Sequence, residues 1–589
     1  MKKHSNGILP FSAAVLSALS VTALCGVPAA AQQTASQPQV ISNAVLNAPS
    51  HFDVSTPLAA LIKQASVSQG VRVMRAPIKP KLAPFTTAGQ SQGTGTLSAI
   101  EPLASSFISA ATGLSFEGVG QVGGFYGTAR GINCPNVTGG YGVPPDTNAA
   151  VGAHQVVQWI NVCYAVFDKG SGALIAGPFA GTNFWKGFGG PCENNNDGDI
   201  IIQWDKANGR WLAAQNVFTG PPYYTCVAVS QTADAMGSYY RYAFPQQAGF
   251  PDYPKWGLKS SVYYQSQNIF NDAGTAFLGV NVCAYQAALM RKGSSKAAQV
   301  CILDDSNGTL FDDSMLPADD DSPGSSGPEV LLGSIDNFLP GDTHVYEYVY
   351  TVNFDRPAQS TLAGVNGSMP ISVPGFNISS VTCVPQRDSK ASEAKFAKIW
   401  GLPKGTTGLV DCLDTLGDRL MYRLAHFTDD DGTQHFLVAH SVLNTTAVAT
   451  RWYEFRAYGL SATTLSLRQS GQTPDDGYFR WMGSVAMDKQ GDIALGYSRS
   501  SATDYPSIYY AGQRAGDRLG TTESEALIKK GGGSQYYSLG RWGDYSSMAL
   551  DGADSCTFWY TNEFYPVDGS FAFDTWIASL KFPNCHSRY

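Results

Sequence analysis

Charged residues are scarce in this chain of 589 residues, where Asp, Glu, Lys and Arg make up only 15%, against about a quarter in typical soluble domains. The formal net charge is −8, so the basic surface that nucleic-acid binding requires is lacking. The sequence has no CxxC pair and no HExxH motif, which argues against zinc. It also has no G-x-S-x-G elbow and no P-loop. A match to GxGxxG at Gly118 to Gly123 lacks the surrounding strand and helix, so nucleotide binding is not indicated.

Long apolar runs are missing too, apart from one at the N-terminus. There Lys2 and Lys3 precede an apolar stretch that is too short for a comfortable membrane span, and the small residues "PAAAQ" follow it. This pattern predicts a signal peptide over residues 1–31, cleaved after Ala31, with a retained anchor as the alternative. No later segment is apolar enough over a sufficient length to cross a bilayer. We therefore expect a secreted or periplasmic protein with no membrane span after cleavage.

The cysteines agree with that location. The chain has 11 cysteines, and loss of Cys25 with the leader leaves ten, an even number that predicts five disulfides outside the cytoplasm. Cys192–Cys226 and Cys383–Cys412 are the preferred local pairs. The ten are Cys134, Cys163, Cys192, Cys226, Cys283, Cys301, Cys383, Cys412, Cys556 and Cys585.

Composition divides the remaining chain into two parts. Residues 32–115 are rich in Ala, Ser, Gln and Thr, which bury little surface, and we interpret them as a propeptide or a loosely ordered extension. In residues 116–589 short apolar runs alternate with Gly, Asn and Asp, which is typical of many short antiparallel strands. Within this part, residues 303–329 are interpreted as a long acidic rim loop and residues 387–403 as the one plausible helix.

An internal repeat indicates the fold. Four turns share an apolar strand end, an Asp, a short polar turn and a returning strand, at Asp168, Asp205, Asp488 and Asp551. Asp stabilises such turns by bonding its own backbone two residues on, so these residues are interpreted as structural. The repeat predicts an all-β fold, a β-propeller of six or seven blades in which "FDTWIASLKF" closes the ring against an early strand. A β-sandwich followed by a second all-β domain is the alternative. The candidate blades are residues 154–185, 197–245, 252–303, 343–385, 418–460, 478–515 and 540–583.

The segments "PDTNAAVG", "GFGGPCENNNDGD", "DRLMYRLAHF" and "RWMGSVAMDKQGDIALGYS" resemble those of a group of secreted bacterial β-propeller proteins, over about residues 140–585. The turns also bear a loose likeness to the Asp-box propellers of the sialidase type, with Asp554 and Trp559 at the right spacing but Cys556 in place of the Gly. Asp boxes are structural turns, so this likeness implies a fold rather than a mechanism.

The sialidase likeness implies a set of site residues. Sites of that type hold a substrate carboxylate with arginines, attack with a Tyr assisted by a Glu, and use an Asp as acid and base. The forked guanidinium of Arg suits the first role because it meets a carboxylate with two parallel hydrogen bonds. Carried onto this sequence, the roles fall on Arg480, Arg514, Arg541, Tyr560, Glu563 and Asp544.

Neighbouring residues extend this hypothesis. Trp481 and Trp542 follow Arg480 and Arg541 and could stack on sugar faces, while Asp252 and Lys255 at a strand start form either a catalytic pair or a salt-bridged turn. Arg–Trp pairs also occur at 210–211 and 451–452, so the motif has a structural interpretation as a blade device with the guanidinium packed on aromatic rings.

A second kind of site is suggested by "PCENNNDGDIII". Its polar residues alternate around Gly198, near the opening of a calcium-binding loop, but Trp204 occupies the place of the expected Glu. A plain polar turn is the alternative. Asp319–Asp321 and Asp429–Asp431 are interpreted mainly as solvated loops. The candidate calcium ligands are Glu193, Asn195, Asp197 and Asp199.

Together these features predict a secreted propeller that acts on a polysaccharide or glycoconjugate at an axial cleft, as a glycoside hydrolase or a lyase. Acidic and aromatic residues suit that substrate because carboxyls serve as acid and base and sugar faces stack on aromatic rings. The alternatives are a non-catalytic carbohydrate-binding or adhesion propeller and a secreted peptidase or other hydrolase. We expect a monomer.

Overall fold

The structure is a computed structural model that describes residues 37–63, 110–121, 132–134, 144–246, 248–305, 313–322, 325–334, 341–379, 384–387, 413–445, 447–535, 540–569 and 573–586. The chain divides into two compact units, Met1–Gln37 and Pro38–Tyr589, and everything below concerns the second. Within these residues, no helix combines the length and the apolar character needed to span a membrane. The predicted helix over residues 387–403 lies outside the described residues except for its first residue.

Short strands predominate in the described part of the unit, as the apolar and Gly-rich pattern predicts. Four short α-helices and two 3-10 helices, Pro357–Gln359 and Val365–Gly367, also occur among these residues. The N-terminal elements are β1 (Val40–Ile41), β2 (Val45–Asn47), β3 (His51–Val54), α1 (Leu58–Lys63), β4 (Ala111–Glu117), β5 (Val119–Gly120) and β6 (Ile132–Asn133). The next elements are β7 (Asn148–Val151), β8 (Gln155–Ile160), β9 (Cys163–Asp168), β10 (Leu174–Ala180), α2 (Thr182–Trp185), α3 (Gly190–Asn194), β11 (Ile201–Asp205), β12 (Arg210–Val217), β13 (Tyr223–Ser230), β14 (Tyr239–Gln246), β15 (Phe250–Leu258), β16 (Tyr263–Phe270), β17 (Phe277–Tyr285), α4 (Ala287–Met290) and β18 (Gln299–Asp304).

The second half of the unit continues in the same style. Its strands are β19 (Leu316–Asp320), β20 (Glu329–Gly333), β21 (Asp342–Thr351), β22 (Thr361–Ala363), β23 (Pro370–Ile378), β24 (Leu420–Thr428), β25 (Thr433–Leu443), β26 (Val448–Tyr458), β27 (Ser466–Gln472), β28 (Phe479–Met487), β29 (Ile493–Ser500), β30 (Ser507–Gln513), β31 (Ala526–Lys529), β32 (Ser547–Leu550), β33 (Thr557–Phe564) and β34 (Asp574–Lys581).

These strands form seven blades. Blades 1, 2, 3, 6 and 7 are separate antiparallel sheets that begin with β7, β11, β15, β28 and β32. Blades 4 and 5 begin with β19 and β24, which pair in parallel and join the two blades into one sheet. The seven innermost strands contact one another in a closed circle, from β7 through β11, β15, β19, β24, β28 and β32 back to β7. The all-β propeller prediction is therefore confirmed, with seven blades.

An early strand closes the ring, as predicted. In blade 7 the last strand, β34, pairs antiparallel with β4, so that residues 111–117 supply the outermost strand. The partner precedes blade 1 in the sequence, and the blade thus joins the two ends of the propeller. Radial closure of this kind leaves few exposed sheet edges.

The N-terminal segment adds one strand to each of three further blades. Strands β1, β2 and β3 pair with the outermost strands of blades 4, 3 and 2 in that order. These strands belong to the predicted extension over residues 32–115, and so does most of β4. The propeller thus begins before residue 116, and the described part of the extension is not loosely ordered. Its interpretation as a propeptide stays a prediction.

The repeated turn aspartates act as the sequence indicates. Asp488 accepts a hydrogen bond from the N–H of Gln490 at 2.8 Å, and Asp551 accepts one from the N–H of Ala553 at 2.9 Å. The other two bond the backbone three residues on, at Ser171 and Asn208. All four therefore hold turns and carry no evident chemistry.

Four disulfides are formed by the described residues, Cys134–Cys163, Cys192–Cys226, Cys283–Cys301 and Cys556–Cys585. The preferred pair Cys192–Cys226 is among them, whereas Cys383 and Cys412 lie outside the described residues. These links connect elements 18 to 34 residues apart in sequence, and so brace single blades and their connections.

The prediction of a long acidic rim loop over residues 303–329 is wrong for the residues of this range that the structure describes. Leu316–Asp320 is the innermost strand of blade 4 and Glu329–Gly333 is its second strand. The acidic run is buried rather than solvated because cations from other blades neutralise it in the central channel. Lys206 Nζ lies 2.8 Å from Asp321 Oδ1, and Arg423 donates to Asp321 Oδ2 at 2.9 Å and lies 3.5 Å from Asp319. A cavity of about 20 Å³, lined in part by Lys206, Asp319 and Arg423, lies beside these ion pairs and has room for about one water.

Candidate functional site

The innermost strands carry an unusual backbone turn near their start. In six of the seven blades a residue other than Gly has a positive φ there, just before the strand in four blades and at the fourth residue of β15 and of β28 in the other two. Such φ values are uncommon outside Gly, best tolerated by Asp and Asn, and cost about 1–3 kcal/mol each. The same strained turn thus recurs around one end of the axis. The residues are Asp146 (48°), Asp199 (50°), Tyr253 (53°), Ser314 (48°), Met482 (52°) and Asp544 (55°).

An aspartate stands close to the start of the innermost strand in six blades. Asp146 is 1% exposed, Asp313 3% and Asp544 7%, and Asp146 lies within hydrogen-bonding range of Asp199. Burial of this many carboxyl groups is costly unless they are paired or protonated. We call the six the acidic ring: Asp146, Asp199, Asp252, Asp313, Asp418 and Asp544.

Two arginines partly neutralise the acidic ring. The Arg541 guanidinium forms a largely buried ion pair with Asp544. Arg419 donates from Nε and Nη2 to the two oxygens of Asp418 at 3.1 and 2.9 Å, and its guanidinium lies 4.8 Å from the ring centroid of Tyr253. The forked geometry of Arg suits such paired bonds.

A lysine is enclosed beside these pairs. The ammonium of Lys255 lies 3.4 Å from the ring centroid of Tyr253 and 4.3 Å from that of Tyr545, and it donates to the carbonyl of Pro254 at 3.0 Å. Lys255 is only 1% exposed. Burial lowers the pKa of Lys255 to about 8, although Asp199 and the other aspartates oppose the shift. The two ring faces and the carboxyls therefore keep a positive charge in a site that water barely reaches.

The carboxyls of the acidic ring are not equivalent. Burial, reinforced by neighbouring carboxylates, raises the pKa of Asp146 and that of Asp252 well above their usual range. Burial also raises the pKa of Asp544, but there the Arg541 guanidinium is the largest opposing influence. The Arg541 guanidinium thus favours the ionised form of Asp544, whereas burial among other carboxyls favours the protonated forms of Asp146 and Asp252.

Glu563 and Tyr560, predicted as catalytic, lie on β33 behind the acidic ring. Glu563 is completely buried, and its Oε2 accepts the N–H of Gly543 at 2.8 Å. Burial raises the pKa of Glu563 well above its usual range, and Asp544 adds to the shift. Tyr560 donates to Ser546 Oγ at 3.0 Å and is 1% exposed. Both residues thus support the turn that carries Asp544 rather than face the axis.

The three predicted arginines do not converge. Arg480 is completely buried within blade 6, where Asp476 and Glu525 each lie 2.8 Å from its guanidinium. Arg514 follows the third strand of that blade, which runs in the same direction as the innermost strand, so it lies at the opposite end of the axis. Its side chain is 47% exposed beside Asp517. Only Arg541 reaches the acidic ring, and the three-arginine site is not formed.

The predicted sugar-stacking residues are core residues. Trp481 and Trp542 are both completely buried and pack against each other with ring centroids 5.7 Å apart. The indole N–H of Trp542 donates to Ser498 Oγ at 3.1 Å. Their Arg–Trp motif is therefore a packing device of the blades, which is the structural interpretation of that pattern.

The predicted calcium ligands face different partners. Both oxygens of Glu193 accept backbone N–H groups, at 2.9 Å from Gly187 and 2.7 Å from Gly189. Asp197 accepts the N–H of Phe218 at 2.7 Å, and Asn195 accepts the hydroxyl of Thr219 at 2.9 Å. Only Asp199 belongs to the acidic ring. No group of three or more His, Cys, Asp or Glu side chains suited to a metal ion occurs in the described ranges, so calcium binding stays a prediction without geometric support.

Sequence reasoning selected Asp252, Asp544 and Arg541 for this site, and it assigned Asp199 to a calcium loop. It missed Asp146, Asp313 and Asp418. A signal was available, because five of the six aspartates follow a Gly or a Pro directly before an innermost strand, as in "PPDTN", "GDII", "PDYP", "GDRL" and "GDYS". The repeated element is only a Gly-Asp or Pro-Asp dipeptide, which is too short to stand out among the other turns of the blades.

Comparisons with known proteins give only loose structural likenesses. No family model matches the sequence, and no curated protein matches it significantly. The polysaccharide lyase Uly1 is similar with a TM-score of 0.34 and 9% identity over 80% of this chain and 98% of that chain. A Penicillium chrysogenum α-L-arabinanase complexed with arabinobiose gives 0.32 and 8%, over 66% and 96%. A subtype N11 neuraminidase-like protein (A/flat-faced bat/Peru) gives 0.29 and 8%, over 72% and 93%. At these TM-scores the likenesses decide neither the chemistry nor the substrate of this chain.

Proposed function

We propose that the acidic ring is the catalytic site of an enzyme that cleaves glycosidic bonds in a polysaccharide or glycoconjugate. The observation that carries the proposal is the meeting of carboxyls with unequal proton affinity at one end of the axis. Asp146 and Asp252 hold their protons tightly, whereas the Arg541 guanidinium favours the ionised form of Asp544. Carboxyls whose surroundings separate their pKa values are the usual source of an acid and a base in one site.

In hydrolysis of a glycosidic bond, Asp146, Asp252 and Asp544 each have a role. Protonated Asp146 or Asp252 donates its proton to the glycosidic oxygen as the bond to the anomeric carbon breaks. Ionised Asp544 either takes a proton from a water that attacks that carbon, or attacks the carbon itself to form a glycosyl ester. In the second case water cleaves the ester and gives its proton to the carboxyl that acted as the acid, so the sugar gains a new hydroxyl group by either route. Glu563 acts through the turn at Gly543 that it holds, so it is a positioning residue.

Elimination is the second reaction that the site supports, and Lys255 is the observation that favours it. A lyase needs a base that removes a proton from a sugar carbon, and a lysine whose pKa is lowered to about 8 is partly neutral near physiological pH. Loss of the leaving oxygen then produces a double bond instead of a hydroxyl group. The two reactions differ in their products, so one assay separates them.

We also infer that the protein works outside the cytoplasm, in line with the predicted signal peptide. The support is the set of four disulfides in the described residues, since such links persist in oxidising compartments. The proposed partner is therefore an extracellular or periplasmic glycan, and the proposed state is a monomer.

The experiment is a screen of the mature protein against polysaccharides and sialosides, with new reducing ends and new double bonds both measured. Asp146→Asn and Asp252→Asn are expected to lower turnover by about 10²–10⁴-fold. Their Tm values are expected to change little, because Asn resembles the protonated carboxyl that burial already favours. Asp517→Asn, at the opposite end of the axis, is the control and is expected to keep full turnover. Full turnover in both ring variants, or no cleavage of any glycan, would refute the proposal.

A non-catalytic binding propeller is the second candidate. The observation in its favour is burial, because Asp146, Asp199 and Asp313 are each less than 10% exposed. A binding protein would retain glycans without releasing products, and its affinity would tolerate Asp146→Asn.

A further inference from the structure

The charge of the acidic ring and its neighbours is strongly unbalanced. Asp414 lies close enough to Asp544 and Arg541 to act on both, which brings the number of carboxyls near the axis to seven. Among the described residues, the cations that lie beside them are Lys255, Arg419 and Arg541. Even with Asp146 and Asp252 protonated, the five remaining carboxyls outnumber the three cations, so this end of the axis favours a positive ligand over a negative one.

Buried atoms without partners point in the same direction. Asp146 Oδ1 and Asp544 Oδ1 have no hydrogen-bond donor among the described residues, and both residues are more than nine-tenths buried. An unsatisfied buried acceptor is costly, by about 1–3 kcal/mol. The Nε of Arg541 and the hydroxyl of Tyr545 are likewise without partners in the described part. A ligand that satisfies all four atoms must bring N–H or O–H donors together with acceptor oxygens.

One ammonium group already lies within the site. Lys255 Nζ lies between the rings of Tyr253 and Tyr545, at 3.4 and 4.3 Å from their centroids, with four aspartates of the acidic ring acting on its charge. Ring faces and carboxylates are the two surroundings in which an ammonium is most stable away from bulk water. The lysine therefore shows which charge this end of the axis accommodates.

A carboxylate-bearing sugar fits poorly. The sialidase likeness implied three arginines around a substrate carboxylate, but Arg480 is bound within blade 6 and Arg514 lies at the opposite end of the axis. The one arginine that remains, Arg541, already faces Asp544. A uronate or a sialoside would place its negative charge among the seven aspartates, where no arginine of the described ranges is free to hold it.

We propose that the acidic ring recognises glycans with protonated amino groups, such as oligomers of deacetylated amino sugars. The ammonium groups donate to the unsatisfied oxygens of Asp146 and Asp544, while sugar hydroxyls accept from Arg541 and Tyr545. This inference rests on the proposed function in that it names the substrate class of the same site. It also selects hydrolysis over elimination, because elimination needs a sugar C–H made acidic by a neighbouring carboxylate, which these glycans lack.

The test is calorimetric titration of the intact protein, at mildly acidic pH, with three oligomers of equal length: glucosamine, N-acetylglucosamine and galacturonate. The glucosamine oligomer is expected to bind at least about tenfold more tightly than the N-acetylated one, which corresponds to about 1.4 kcal/mol. The galacturonate oligomer is expected to bind most weakly. The preference is expected to vanish near about 1 M salt, where the Debye length is about 3 Å.

The Asp199→Asn variant tests whether the acidic ring causes the preference for the glucosamine oligomer. Asp199→Asn is expected to weaken binding of the glucosamine oligomer by about fivefold or more and to leave binding of the N-acetylated oligomer unchanged, because only the charged ligand senses the lost carboxylate. Asp517→Asn, at the far end of the axis, is the matched control and is expected to change neither. Tm values of both variants show that each is folded.

The outcomes separate the two proposals. Equal or tighter binding of the N-acetylated or galacturonate oligomer, or no binding of any of the three, overturns the inference. Cleavage of neutral or acidic glycans without a preference for amino sugars also overturns it, and leaves the proposed function standing. Tight, salt-sensitive binding of the glucosamine oligomer without bond cleavage supports the inference and counts against the proposed function.

Discussion

Replacing Arg541 by Gln is expected to destabilise the protein in a way that depends strongly on pH. The Arg541 guanidinium lowers the pKa values of Asp146, Asp252 and Asp544 against the effect of burial. Its removal is expected to raise all three pKa values further. Because the Arg541–Asp544 pair is largely buried, breaking it is expected to cost about 3–5 kcal/mol.

The sign of the pH dependence follows from proton binding. A folded carboxyl with a raised pKa keeps a proton that the unfolded chain releases above about pH 4, so stability falls as pH rises from there to the folded pKa. In the Arg541→Gln variant the fall continues to a higher pH. The difference in stability between the variant and the wild type is therefore smallest near pH 4 and largest near neutrality.

Thermal unfolding from about pH 4 to about pH 8 measures this difference, and a loss of about 3–5 kcal/mol lowers Tm by several degrees. Arg514→Gln is the matched control, because Arg514 is 47% exposed and its partners Asp517 and Glu523 lie 3.6 and 3.3 Å away. An exposed pair of this kind contributes less than about 1 kcal/mol. A loss for Arg541→Gln that is equal at all pH values, or no larger than that of the control, would refute the reasoning.

Two other variants test separate parts of the propeller. Burial raises the pKa of Asp574, beside Glu117, to about 9, so stability is expected to fall as pH rises towards that value, and Asp574→Asn is expected to flatten the fall in pH-dependent thermal unfolding; an unchanged slope would count against this. A methyl group at Gly496 would stand 2.4 Å from Cζ of Tyr560, so Gly496→Ala is expected to cost about 1–3 kcal/mol in denaturant unfolding. Gly516→Ala, where the added atom meets open space, is expected to cost almost nothing, and equal losses would contradict the packing argument.

The fold could be predicted from the sequence because its causes are local. Each blade turn carries its own signal, as at Asp488 and Asp551, where the side chain bonds the backbone that directly follows. Radial repetition then leaves few alternatives to a propeller. The closing role of residues 574–581 could be predicted as well, since a single apolar strand remains after the last turn.

Blade 4 could not be predicted, because its charges are neutralised by residues far away in sequence. Asp319 and Asp321 belong to a run that suggests a solvated loop, yet Lys206 and Arg423 bind them from about a hundred residues away. No pattern within the run itself indicates that these partners exist. Burial of ion pairs is a tertiary effect, and it overrides the local preference of Asp for turns.

The site was predicted in part for the same reason. Asp544 and Arg541 are neighbours in sequence and remain a pair in the fold. Arg480 has the same local motif as Arg541, but Glu525, 45 residues later, binds it within the blade. Similar sequences at the starts of two blades thus lead to two different environments. The difference comes from the partners of the two arginines, and for Arg480 that partner is distant in sequence.

The lacing of the first strands across the rim has a consequence for preparing the protein. A recombinant chain started at residue 116 would lack β1, β2 and β3 and nearly all of β4, which pair with the outer strands β22, β18, β14 and β34. Four blades would then each present a row of bare amide and carbonyl groups, and such rows join to any other open strand. The shortened molecule is expected to associate with its own copies edge to edge. In the chain of 589 residues the short strands β1 to β4 cover those four sheet edges instead.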